Sequence, residues 1–175
     1  IIKKLCKKGN VLEIGSGDGH ILNTIDNNNY KFSAIDYHQS TNLPKKTIFF
    51  NGGIDDCAID LFDKSEFDII IMDNLIEHLV DPQSVIKKVS RWLSDDGYIC
   101  LSVPNRWNIK HLLKLDLNRE FRYPSEHLNI YTRQSINYLF NSNNYQLAKQ
   151  YILPYNFFSF FNISSLLGFP LFGIY

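Results

Sequence analysis

The sequence predicts an α/β chain built on a doubly wound, mostly parallel sheet flanked by helices. Three observations carry that expectation. Short apolar, β-rich runs alternate with helical patterns along the chain, the signature of strands joined by crossover helices. One run, Ile69-Ile70-Ile71-Met72, is apolar without alternation, as a strand covered on both faces must be. A glycine-rich turn follows the first run, where sheets of this class open their ligand crevice.

Val11–Ile14 is the first strand, broken only by Glu13, and it ends in Gly15-Ser16-Gly17-Asp18-Gly19, with a helix beginning near Gly19. Phe32–Ile35 and Thr47–Phe50 are the second and third strands, and Phe67–Met72 is the fourth. Tyr98–Val103 is the fifth and stops at Pro104, which has no N–H to give a ladder. The clearest helix lies between the fourth and fifth strands. Asp81 suits its N-cap and Pro82 its first position. Val85, Ile86, Val89, Trp92 and Leu93 then form one apolar stripe, and Gly97 follows as the turn. Such a crossover is right-handed in about 98% of cases. Asn108–Leu117 reads as a short amphipathic helix, with Ile109, Leu112, Leu113 and Leu117 on one side. Thr132 caps a further helix through Ile136, Leu139 and Phe140, which ends near Asn141–Asn144, and Tyr145–Ile152 is a sixth strand. There is no internal repeat, and the Asn27–Asn29 and Asn143-Asn144 clusters read as surface turns.

The 175 residues, 20.4 kDa, suit one domain. A hydrophobic share of 45% against 21% charged excludes wholesale disorder. Lys and Arg (18) balance Asp and Glu (18), which argues against a nucleic-acid binder, whose affinity comes from excess cations facing phosphates. Cys6, Cys57 and Cys100 are odd in number and widely spaced; they form no disulfide or zinc framework and suit a reducing, cytoplasmic setting. No signal-peptide pattern opens the chain. It begins with Ile1 and ends in an apolar run, so a trimmed piece of a longer chain is expected.

The Gly15–Gly19 turn carries the function. Without Cβ atoms the backbone turns sharply and a ligand approaches it closely. The dinucleotide fingerprint G-x-G-x-x-G requires a third glycine at position 20, but His20 stands there and Gly19 comes one residue early. No Walker lysine is present. Asp36 follows the second strand directly, 19 residues beyond Gly17, where a carboxylate accepts hydrogen bonds from ribose hydroxyls.

The G-x-G-x-G turn resembles motif I of class I S-adenosylmethionine (SAM) dependent methyltransferases. The stretch Phe67–Pro82, with Asp73-Asn74-Leu75-Ile76-Glu77-His78 and Asp81-Pro82, resembles motif IV of the small-molecule group related to ubiquinone-biosynthesis O-methyltransferases. Ser102-Val103-Pro104-Asn105 and Glu126-His127-Leu128-Asn129-Ile130-Tyr131-Thr132 resemble that group too, so the likeness runs from residue 4 to about 150. It implies a Rossmann-like methyltransferase domain over 1–152 with an acceptor lid at about 105–131, and SAM as donor with S-adenosylhomocysteine as product. The donor site it implies comprises Glu13, Gly15, Ser16, Gly17, Gly19, His20, Asp36, Tyr37, Ile54, Asp55, Asp73, Asn74 and Leu75. Two departures stand out. Gly53 replaces the family's usual Asp, leaving Ile54 and Asp55 to meet adenine. The antiparallel seventh strand is not evident, so the fold is expected to stop before it.

Methyl transfer from a sulfonium is an in-line displacement, and holding donor and acceptor in line accounts for much of the rate. A hydroxyl acceptor also loses a proton, for which imidazole is the natural base near neutral pH. His78 and His127 are the candidate catalytic residues; His78 has the alternative role of shaping the donor pocket, and His38 and His111 have no motif context. No metal-ligand spacing is visible, so transfer without a metal is expected. The acceptor is expected to be a small molecule with a hydroxyl: a sugar, a glycan precursor or a quinone-like ring. Arg106, Lys110, Lys114, Arg119 and Arg122 against Asp116 and Glu120 favour an anionic one. Residues 153–175 are apolar and aromatic, with Phe157-Phe158, Phe160-Phe161 and Phe169-Pro170-Leu171-Phe172. A packed insertion, a homodimer contact and a peripheral membrane anchor are all open for this segment. The alternatives are an N- or C-methyltransferase with the same donor site and a SAM-binding module without catalysis.

Overall fold

The computed structural model describes residues 2–26, 28–58, 60–104, 127–152 and 156–163. Strands β1 (Gly9–Ile14), β2 (Tyr30–Asp36), β3 (Ile48–Asn51), β4 (Phe67–Asp73), β5 (Leu93–Pro104), β6 (Tyr145–Ile152) and β7 (Asn156–Ile163) form one sheet in the order β3-β2-β1-β4-β5-β7-β6. The first five strands run parallel, while β7 is antiparallel to both β5 and β6. The helices are α1 (Ile2–Leu5), α2 (His20–Asn23), α3 (Pro82–Trp92) and α4 (Arg133–Asn141), with a 3₁₀ turn over Ile76–His78. The chain leaves β1 toward β2 and β3, then returns to build outward from β4. The switch point is therefore the β1–β4 pair, where Ile14 lies beside Ile35 on one side and Met72 on the other.

The strands separate two apolar layers by alternation. Leu12, Ile14, Ile70 and Met72 pack with α3 and α4 residues on one face; Val11, Ile69 and Ile71 pack with Leu22, Ile25 and Phe32 on the other. Both layers are apolar, as the unbroken run in β4 requires. α3 begins as its sequence dictates: the Asp81 side chain accepts from the Ser84 N–H at 3.1 Å, and Pro82 opens the first turn. Val85, Ile86, Val89 and Trp92 of its stripe are buried. The α4 cap is reciprocal, with Thr132 Oγ1 accepting from the Ser135 N–H and Ser135 Oγ from the Thr132 N–H.

Three expectations are corrected. The antiparallel seventh strand is present: β7 lies between β5 and β6 and pairs with both over its length. Residues 156–163 are thus an interior strand of the same sheet, not a separate apolar unit; 164–175 lie outside the described residues. Only pairing across the sheet defines this strand, because its Phe pairs and Asn and Ser residues follow no period of two. β5 also starts at Leu93 rather than Tyr98. Phe67 pairs Leu93 and Ile69 pairs Tyr98, so the Gly97 turn is absorbed into a bulge of β5. The expected Asn108–Leu117 helix, the 105–126 part of the lid and all five of its basic residues lie outside the described residues. No helix among the described residues is long and apolar enough to cross a membrane.

Candidate active site

The parallel registers bring Gly15, Asp36 and Asp73 to the same end of β1, β2 and β4. The turn after β1 holds Gly15, Gly17 and Gly19 at φ of 72°, 49° and 72°, the left-handed region that side chains oppose. Gly15 is also closely packed: a Cβ there would lie 3.1 Å from Leu75 Cδ1, and that side chain would have to give by a few tenths of an ångström. At Gly17 a Cβ would meet nothing within 4 Å, so this residue faces open space and is fixed by its backbone angle alone.

The amides of Gly15 and Gly17 are directed at β2. Gly15 N–H donates to the Ile35 carbonyl at 2.8 Å. Gly17 N–H donates to Asp36 Oδ2 at 2.8 Å, and His38 N–H to Asp36 Oδ1 at 3.1 Å. Both carboxylate oxygens are thereby oriented at the tip of β2, each with lone pairs to spare. His20 is exposed at the start of α2. Ser16 is 5% exposed and Glu13 2%, and Ser16 Oγ and Glu13 Oε2 have no hydrogen-bond partner among the described residues. Burial, and then the nearby Asp73 carboxylate, push the Glu13 carboxyl up to about 8; a hydrogen bond from the Leu22 backbone opposes this and Asp36 adds to it.

On the β2–β3 side, Tyr37 is 61% exposed, and its hydroxyl donates to Asp56 Oδ2 at 3.3 Å. A Cβ on Gly53 would lie 2.1 Å from the Tyr37 hydroxyl oxygen. The tyrosine hydroxyl thus occupies the space that a side chain at position 53 would need. Asp55 is exposed on the same turn. Ile54, expected to meet adenine, is 3% exposed and packed into the α3 layer. Lys88 of α3 was not legible as a site residue. Its ammonium donates to the carbonyls of Ile54 at 2.7 Å, Asp55 at 3.4 Å and Cys57, fixing the turn. A lysine on a helix surface gives no sequence signal of such a role.

On the β4 side, Ser102 Oγ of β5 donates to Asp73 Oδ1. Asn74 sits at φ 46°, a region in which Asn is enriched, and its N–H donates to the Ser102 carbonyl at 3.2 Å. Leu75 is seated against Gly15. The 3₁₀ turn then carries Glu77, buried at 2%, and exposed His78. The chain re-enters at His127, whose ring centroid lies 4.8 Å from that of His78. Asn129 ties the segments together: its N–H donates to the Glu77 carbonyl at 2.9 Å and its side chain to the Leu79 carbonyl at 2.7 Å. Glu77, Val103, Pro104, His127, Asn129 and Tyr131 line a cleft beside this junction. Burial and the Glu77 charge hold the Tyr131 phenol well above its ordinary range. The structure therefore brings the two candidate histidines together from positions 49 residues apart.

The family model described as a methyltransferase domain matches residues 1–150. The chain belongs to this methyltransferase family. It is a SAM-dependent methyltransferase, with SAM as methyl donor. The methyltransferase also resembles solved structures. A 1,6-didemethyltoxoflavin N1-methyltransferase from Burkholderia thailandensis, with S-adenosylhomocysteine bound, superposes at TM-score 0.72 and 12% identity, covering 93% of this chain and 75% of that one. A SAM-dependent methyltransferase from Aquifex aeolicus gives TM-score 0.70 at 14% identity over 93% and 87%. The plantazolicin methyltransferase BpumL, also with S-adenosylhomocysteine, gives 0.71 at 14% over 91% and 79%. At such identities the likeness speaks to the fold. No curated protein matches the chain.

Proposed function

We propose that the carboxyl ends of β1, β2 and β4 bind SAM, and that the methyl group passes to a hydroxyl of a small molecule seated against His78 and His127. The observation that carries this reading is the pair of acids at the strand tips. Asp36 ends β2, oriented by Gly17 and His38, and Asp73 ends β4 at the same edge. Glu13, on β1 between them, is held largely protonated near neutral pH. Two such carboxylates favour a cation and repel a pyrophosphate. The unpartnered Glu13 Oε2 and Ser16 Oγ are buried polar atoms that a donor's polar tail would satisfy. SAM supplies a methyl group activated on a cationic sulfur. Asp36, oriented by Gly17 and His38, would accept from the ribose hydroxyls. Tyr37 and the Lys88-anchored turn with Asp55 would flank the base. Gly19, His20 and Asp73-Asn74-Leu75 would complete the wall.

The two imidazoles are the groups at hand to ease loss of the acceptor's proton, as bases or as ligands of a cation. The resemblance of the Phe67–Pro82 stretch to ubiquinone-biosynthesis O-methyltransferases favours oxygen as the methylated atom, and the basic residues of the sequence between 105 and 124 favour an anionic acceptor.

Calorimetry with S-adenosylhomocysteine and NAD tests the donor site. Heat with the first and none with the second is expected, and Asp36→Ala is expected to weaken binding by about 1.5–3 kcal/mol, the worth of hydrogen bonds to a charged group. Equal binding of NAD, or unchanged affinity in the variant, overturns the assignment.

A further inference from the structure

We propose that Glu77, His78 and His127 form a binding site for a divalent first-row transition cation, with open coordination positions facing the acceptor cleft. One ligand atom from each residue lies within 4.8 Å of the other two. A cation with ligands at about 2.1 Å would draw them to roughly 3–4 Å from one another. The donor set is two imidazole nitrogens and one carboxylate, which suits Zn²⁺, Fe²⁺, Co²⁺ or Mn²⁺ rather than Mg²⁺ or Ca²⁺. Three protein ligands leave positions for water or a substrate oxygen.

The fold holds the set from both sides. His78 closes a 3₁₀ turn, donating its N–H to the Leu75 carbonyl at 2.9 Å. His127 is joined to the same turn through the two Asn129 hydrogen bonds. Glu77 and His127 both line the cleft, so the open positions look into space that Tyr131 and Pro104 also border. The ligand class for those positions is an oxygen donor, a hydroxyl or carboxylate. This last step rests on reading the cleft as the acceptor side; the cation site itself does not.

Sequence spacing does not bring this set out, for a physical reason. Glu77 and His78 are adjacent in sequence, and the third ligand comes from a segment 49 residues away.

Co²⁺ titrated into the metal-free full chain tests the site. One equivalent is expected to give the visible absorption of nitrogen- and oxygen-ligated Co²⁺. His78→Ala and His127→Ala are each expected to lose about tenfold or more in affinity, while Cys6→Ser changes nothing. His78 is exposed, so its removal leaves the core intact, and retained S-adenosylhomocysteine binding confirms a folded variant. No absorption at saturating Co²⁺, absorption unchanged in both histidine variants, or a thiolate charge-transfer band overturns the site. Loss of S-adenosylhomocysteine binding in the unmodified chain strikes the donor assignment instead.

Discussion

Asp36 and Gly17 show how single residues set the site. The carboxylate takes an N–H from the turn after β1 and another from His38, so the two loops at the switch point share one anchor. Glu13 makes a different kind of contribution. It is buried beside two other carboxylates, and its folded-state pKa of about 8 exceeds the ordinary 4.5. Between those values the folded chain holds a proton that the unfolded chain has released. Stability therefore falls as pH rises from about 4.5 to about 8 and is level above. Glu13→Gln carries no ionisable group and is expected to flatten that decline. Urea midpoints of the ligand-free chain across this window check it; parallel curves for the two proteins would show that Glu13 is ionised when folded.

At the scale of elements, α3 serves two purposes. Its apolar stripe is predictable from period alone, and its N-cap from Asp81-Pro82. Its polar edge has a role that no period reveals, because Lys88 reaches the carbonyls of the turn after β3. Lys88→Met keeps the stem and removes the three hydrogen bonds. Amide exchange over residues 54–57 is expected to quicken and S-adenosylhomocysteine affinity to drop, while global stability changes by no more than about 1–2 kcal/mol. Unchanged exchange in the turn would mean that the Phe62 and Cys57 packing holds it without help. The Thr132 and Asp81 caps were legible for the opposite reason: their hydrogen bonds are made within one helical turn.

The whole molecule depends on a strand that sequence pattern does not reveal. β7 inserts between β5 and β6 and supplies the ladder partner of each. A chain ending at Ile152 would leave facing edges of β5 and β6 unpaired, and it is expected to lose cooperative unfolding. A sharp urea transition equal to that of the full chain would show that β7 is dispensable. The amino-acid sequence by itself determined the strand–helix alternation, the buried β4, both helix caps and the glycine turn with its Asp36 partner. These follow from short-range chemistry: periodicity, backbone angles and caps act within a few residues, and the turn-to-acid spacing spans one helix and one strand. Only the tertiary structure decided where β7 lies, that Tyr37 and Asp56 fill the place beside Gly53, that Lys88 anchors their turn, and that Glu77, His78 and His127 meet. Each of those is a contact between segments far apart in the chain, and which distant segments meet is fixed by strand order and packing rather than by any local pattern.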